Sequence, residues 1–238
     1  MARQFDPGKR RFVQVAGLSG FALAGSLIAA SEAAARPGEA KQDNDEGVTP
    51  PEDLMREHGV LDRVLLIYEA AIRKFGTGED FDPAVVSDSG LVVRDFIENY
   101  HEKSEEEAVF PRFRKAGQMV PLVDTLLAQH RAGRLVTAQI LQLAPTARKN
   151  EDDRRRLTGA MQTFIAMYRP HAAREDTDLF PKLRSLVTAS EYDAMAEDFE
   201  RKEHQHFGDD GFEKVVQRVA ALEEKIGIHD LNQFTPQP

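Results

Sequence analysis

One phrase occurs twice in this chain, and it restricts the folds that can hold it. The first copy is His101-Glu102-Lys103-Ser104-Glu105, closing with Phe110-Pro111; the second is His171-Ala172-Ala173-Arg174-Glu175, closing with Phe180-Pro181. In both, His and Glu are four residues apart and Phe-Pro begins nine residues after the His. The copies align without a gap, and Arg114 and Arg184 stand at matching places beyond the prolines. Four residues is just over one helical turn, so each His and its Glu share a helix face. An imidazole beside a carboxylate, supplied twice, is the donor set that a pair of metal ions takes. The expectation is an all-α chain wrapped around a two-metal site.

Helix signals mark where the rods begin and end. Thr49-Pro50-Pro51-Glu52 is a capping box with proline in the first turn, and the helix it opens runs to about Phe75 before Gly76 and Gly78. Its apolar stripe of Leu54, Leu61, Leu65, Tyr68 and Ile72 also contains His58. Asp82-Pro83 opens a second helix, whose inner face carries Val93, Ile97, His101 and Glu105, and Pro111 is expected to end or kink it. A third helix, about Pro121 to Leu143, aligns Leu122, Leu126, His130, Gly133 and Ile140. Asn150 caps a fourth, with Phe164, Met167, His171 and Glu175 on one face and a bend expected at Pro170. Thr188-Ala189-Ser190-Glu191 is a second capping box; the shorter helix it starts ends near Gly208. A last amphipathic helix covers Gly211 to Ile226, and an extended tail follows. Four long helices with short connections give an up-down-up-down four-helix bundle over 49–187, with additional C-terminal helices and tail over 188–238.

The repeat is larger than the phrase. His58 precedes His101 by 43 residues and His130 precedes His171 by 41. A histidine helix followed by an HxxxE helix is therefore used twice. A single histidine on an apolar stripe is readily explained as a hydrogen-bonded core residue. That explanation has to hold four times here, together with two inward carboxylates that each cost several kcal/mol to bury unpaired. Metal ions supply the missing partner. Ferritin-like di-iron bundles use two Glu-x-x-His motifs, whereas this chain has Glu98 before His101 and Tyr168 at the matching place before His171. Imidazole with carboxylate suits iron, and manganese or zinc fit the same ligands less well.

The order His58, His101-x-x-x-Glu105, His130, His171-x-x-x-Glu175 resembles the hemerythrin-like HHE cation-binding domains over roughly residues 50–185. The resemblance implies a four-helix bundle holding two non-haem irons joined by an oxo or hydroxo bridge. His58, His101, His130 and His171 would be the terminal ligands, and Glu105 and Glu175 the bridges. Oxygen-carrying hemerythrins have a fifth histidine from an HxxxH in the third helix; here His130 is followed at that spacing by Arg134. Other residues carry two readings. Glu106 and Glu107 are alternative bridges or a solvated acidic face, and Glu102 is a candidate partner of a ligand imidazole. His204 is a candidate fifth imidazole, with His206 beside it, if the fifth helix folds over the bundle mouth; otherwise both belong to a polar helix end. Tyr68, Tyr100 and Tyr168 are core residues or donors to a bound oxygen species.

Composition narrows the function. With no cysteine there are no thiolate zinc sites, Fe–S clusters or disulfides, and a net charge of −9 argues against a nucleic-acid partner. Residues 1–35 read as a cleaved secretory signal: Lys9-Arg10-Arg11, an apolar Gly/Ala-rich stretch, then Ala33-Ala34-Ala35. The basic cluster before Phe12-Val13-Gln14 resembles a twin-arginine signal, and 36–48 a flexible lead-in. The alternative is a membrane anchor that stays attached. The expected protein is thus exported or periplasmic, with no stable membrane anchor after cleavage. It binds O2, NO or peroxide at a di-iron centre; a peroxide- or NO-removing enzyme and a metal buffer are the rivals. No separate catalytic constellation is visible.

Overall fold

The computed structural model describes residues 48–236. The signal-like stretch 1–35, and the lead-in up to residue 47, lie outside the described residues. Among those described there are six main helices and no strand: α1 (Pro50–Thr77), α2 (84–116), α3 (Val120–Leu143), α4 (151–183), α5 (Ala189–Phe207) and α6 (Gly211–Ile226). The fold is the all-α, hemerythrin-like bundle expected.

The helix starts follow their sequence signals. Thr49 and Glu52 exchange backbone and side-chain bonds in a complete capping box, as do Thr188 and Glu191. Asn150 accepts from the amides of Asp152 and Asp153, and Asp82 accepts from the amide of Ala84. Gly78 and Gly117 end α1 and α2 at φ of 72° and 65°, a region that favours glycine.

Helices α2 and α4 depart from expectation at their prolines. Pro111 does not end α2, which continues to Ala116. Ahead of it the backbone opens into a wide turn over Glu105–Val109, in which the amide of Phe110 reaches the carbonyl of Glu105, five residues back. The second copy repeats this: Glu175–Leu179 is a wide turn, and the Phe180 amide reaches the Glu175 carbonyl. A proline lacks the amide and crowds the carbonyl four residues earlier, and a wider turn accommodates both faults without ending the rod. Both of these turns start at the glutamate of the repeated phrase; a further wide stretch, Val93–His101, lies earlier in α2. Pro170 lies inside an uninterrupted α-helical stretch, Glu151–Arg174. The tail is not wholly extended either; Leu231–Phe234 forms a single tight turn.

Around the bundle α1 and α3 each pack on α4 and on α2, while α6 lies along α1 and α2, with α5 against α6. The interior is two apolar masses. One contains Leu61, Leu65, Tyr68, Ile97, Phe164 and Tyr168; the other contains Leu54, Val109, Phe110, Leu126, Leu179 and Phe180. Each helix of the bundle passes from one mass to the other at its histidine: Leu54 and Leu61 flank His58, Ile97 and Val109 flank His101. Between the two masses lies a polar layer.

Candidate metal centre

That layer brings together His58, His101, Glu105, His130, His171 and Glu175, none of them more than 4 % exposed. Donor atoms of His58, His101 and Glu105 gather within 4.8 Å of one another, as do those of His130, His171 and Glu175. The two triads interlock through the carboxylates. Glu175 Oε2 lies 3.0 Å from His171 Nε2 and 3.3 Å from His58 Nε2, so it faces an imidazole of each triad. Glu105 Oε2 does the same at 3.4 Å from His130 Nε2 and 3.7 Å from His101 Nε2. His58 and His101 present their Nε2 atoms to each other at 3.1 Å.

The outer nitrogens are all held. His58 Nδ1 meets Asp176 at 2.7 Å, His101 Nδ1 meets Glu57 at 2.7 Å, His130 Nδ1 meets Glu106 at 3.2 Å and His171 Nδ1 meets Gln129 at 2.9 Å. Each partner is an oxygen acceptor, so each Nδ1 carries its hydrogen outward and each Nε2 faces inward, offering a lone pair where the ring is neutral. The inward nitrogens then face carboxylate oxygens. Both oxygens of Glu105 and of Glu175, and Nε2 of His130, are buried without a hydrogen bond, although each Oε2 lies at ion-pair distance from two imidazoles. Acceptor opposes acceptor, and only a proton or a cation between them makes the approach favourable.

The electrostatics point the same way. Burial pushes the Glu105 carboxyl well above the usual range, and the facing Glu175 pushes it further. Glu175 is held well below that range; burial opposes this, and His171 and His58 outweigh it. Burial works against a charge on His58, yet Asp176 and Glu175 raise it to about 9. Burial lowers His101 well below the ordinary value, helped by His58, and lowers His130 to about 4. By themselves, then, Glu105 and His58 retain protons where a bound cation would take their place, while Glu175, His101 and His130 do not. Six converging N and O donors, with tautomers fixed from outside, suit first-row cations.

Phe-Pro acquires a role here that its sequence did not disclose. Phe180 stacks on His58 with centroids 5.6 Å apart, and Phe110 on His130 at 5.5 Å. Each phenylalanine of the repeated phrase therefore covers an imidazole belonging to the other half of the repeat, keeping that ring dry. The outer acceptors were also missed, although the doubled pattern marks them: Glu57 and Gln129 precede His58 and His130, and Glu106 and Asp176 follow Glu105 and Glu175.

Several other expectations are corrected. Glu106 neither bridges nor forms part of a solvated face; it binds His130, Arg134 and Lys103, one turn after Glu102, which meets the same arginine. Glu107 is solvated, 59 % exposed and paired with Lys202. Glu102 meets no ligand imidazole; it accepts from Tyr168 Oη at 2.6 Å and pairs with Arg134 at 2.6 Å. Arg134, standing where a fifth histidine would, is thus occupied with Glu102 and Glu106. His204 does not reach the layer. It lies on the outer side of α5, 64 % exposed, beside Asp209 at 3.2 Å, because Phe199 and Glu203 take the inner face of that helix. His206 is exposed as well, beside the rings of Tyr100 and Phe207. Tyr100 Oη donates weakly to the Phe199 carbonyl at 3.4 Å, and Tyr68 packs against Phe164.

The description of the family matches this arrangement. The hemerythrin HHE cation-binding domain model matches residues 49–183. The chain belongs to that family. Uncharacterized proteins Rv1995 of Mycobacterium tuberculosis and Mb2018 of Mycobacterium bovis are each 40 % identical to it over 234 residues. Those alignments cover 96 % of this chain and 91 % of each relative, and so extend beyond α4 into the helices that follow the domain. No solved structure matches the chain. Membership of a hemerythrin-like, cation-binding family supports metal binding, and the His/Glu clusters of the polar layer provide residues for it.

Proposed function

We propose that this hemerythrin-like domain holds two irons in the polar layer and uses them to bind a small ligand such as O2, NO or peroxide. His58 and His101 would serve one iron, His130 and His171 the other, and Glu105 and Glu175 would span both. The single observation behind this reading is that each glutamate faces imidazoles of both triads while its own oxygens lack a hydrogen-bond donor. Iron in such a site supplies reversible electron transfer to a diatomic or peroxidic ligand; manganese or zinc would fit the donors without the same redox range.

The chain's own residues account for the rest. The two apolar masses exclude water, and Phe110 and Phe180 cover two of the imidazoles. The four outer acceptors fix which nitrogen of each imidazole faces inward. A catalytic role, removal of peroxide or NO, is the second reading and has one feature in its favour. Glu102 is a buried carboxyl beside the layer that burial raises to about 8, against Tyr168 and Arg134, which favour its charged form. Mixing iron-loaded protein with peroxide separates the readings: a stable coloured adduct supports binding, sustained oxygen release supports turnover, and the absence of bound iron removes both.

We assign the site of action to an exported compartment, on the strength of the basic, apolar and Ala-x-Ala stretches in residues 1–35. A twin-arginine route suits a protein that folds around its cofactor before export. No helix among the described residues is long and apolar enough to cross a membrane. Substituting Lys9, Arg10 and Arg11 together should leave uncleaved precursor in the cytoplasm, and normal maturation of that variant would show another route.

A further inference from the structure

The ligands of the polar layer are the same in both halves, but the groups behind them are not. Glu57 and Gln129 occupy equivalent places in the repeat, each one residue before the histidine of its own helix. Each accepts from Nδ1 of the histidine on the next helix: Glu57 from His101 at 2.7 Å, Gln129 from His171 at 2.9 Å. Asp176 and Glu106 are equivalent in the same way, accepting from His58 at 2.7 Å and from His130 at 3.2 Å. The half built on His58 and His101 therefore has two carboxylates behind it. The half built on His130 and His171 has one carboxylate and one neutral amide.

A carboxylate that accepts the outer hydrogen of an imidazole draws the ring toward the anion and strengthens the inner nitrogen as a donor. An amide oxygen carries no net charge and does this less. The remaining carboxylate of the weaker half is also the more divided one, because Glu106 serves Arg134 and Lys103 as well as His130. Asp176 and Glu106 are both carboxylates, so that pair leaves the charge the same in the two halves. The comparison of Glu57 with Gln129 is the one in which the charge changes, and Glu57 and His101 are both 2 % exposed.

We propose that Gln129 makes the two metal positions unequal. The position between His58 and His101 takes the first divalent cation and holds it more tightly; the position between His130 and His171 is the weaker, exchangeable one. Gln129 is a positioning residue in this account, acting through His171 and not on the cation itself. The inference rests on the two-metal reading above.

The test uses the full chain, stripped with a chelator and titrated anaerobically with Co2+, whose visible bands report coordination. Competition against a chromophoric chelator gives the two stepwise constants. The wild type should show two steps separated by roughly 10–100-fold, the usual effect of an outer partner on metal affinity. Gln129→Glu should strengthen the second step, shift the bands that grow in that step and close the gap. Glu57→Gln should weaken the first step and close the gap from the other side. Both changes conserve size, and either alone keeps the inference testable if the other fails to fold. Two steps of equal strength in the wild type would overturn the inference and leave the two-metal reading standing. A gap unmoved by both variants would overturn the assignment to Gln129. One cation or none per chain would sink the two-metal reading and this inference with it.

Discussion

Replacing Gly133 with alanine should be costly, although alanine is the better helix former. Gly133 lies in the middle of α3, on the face turned to α4, and a Cβ built there would fall 2.0 Å from Tyr168 Oη, 2.7 Å from Cζ and 2.8 Å from Cε2. The ring cannot move aside easily. It is 1 % exposed, packed against Phe164 at 4.3 Å and edge-on to His171 at 5.4 Å, and its hydroxyl is bound to Glu102. Overpacking of this kind costs about 1–3 kcal/mol. Losing the buried hydrogen bond to Glu102 adds about 1–3 kcal/mol. The better helix propensity of alanine returns about 1 kcal/mol. The expected net loss is about 1–5 kcal/mol, which lowers a urea midpoint by roughly 1 M at a mid-range loss and a typical denaturant slope. The assay is urea unfolding of the chelator-treated protein, followed by helical circular dichroism, for the wild type, Gly133→Ala, Tyr168→Phe and the double variant. Tyr168→Phe removes the closest atom, so the double variant should be less destabilised than the two single losses added together. A Gly133→Ala protein within about 0.5 kcal/mol of the parent, or more stable, would refute the packing argument.

Other predictions concern the polar layer. Glu105→Ala and Glu175→Ala should each lower metal content well below two per chain, and Glu107→Ala should leave it unchanged because that side chain is in solvent with Lys202; elemental analysis of the three decides it. His204→Ala should alter neither the metal content nor the optical spectrum, since His204 lies outside the layer. Metal affinity should rise with pH. His58 is raised from 6.5 to about 9 and Glu105 is raised well above its ordinary value, so cation uptake must displace a proton from each where it is still held. His58 alone then gives about a tenfold gain in affinity per pH unit until pH passes its raised pKa. The sign for stability without metal is the reverse: the paired, protonated His58 contributes fully below pH 6.5, and its contribution is lost as pH rises through about 9. Titration in weak buffer, with pH recorded, measures the protons released; no release at neutral pH would contradict both assignments.

Much of the architecture was written in local signals. The two capping boxes, the Asn150 cap and Gly78 are short-range features whose physics does not depend on the rest of the chain, and the helices begin or end at them. The convergence of six polar side chains could be read because helical spacing put each on an apolar stripe, and a stripe has only one place to go. What the spacing concealed was the backbone response to proline, the wide turns over Glu105–Val109 and Glu175–Leu179 that carry each helix past its Phe-Pro. Glu106 sits one turn after Glu102, and only the packing of α3 shows that Arg134 and His130 stand opposite. His204 looked eligible because a histidine near a helix end has no periodic signature of its own, and only the packing of Phe199 and Glu203 shows which side of α5 is outside. The contact of Tyr168 with Gly133 joins two helices, and nothing in either sequence segment alone announces it.

The central claim is that two cations share one buried centre through Glu105 and Glu175. Iron analysis combined with Mössbauer spectroscopy on protein isolated from its natural compartment tests this most directly. The account predicts about two irons per chain, with magnetic coupling between them because the same carboxylates span both. A fully loaded protein holding a single, magnetically isolated iron would contradict it.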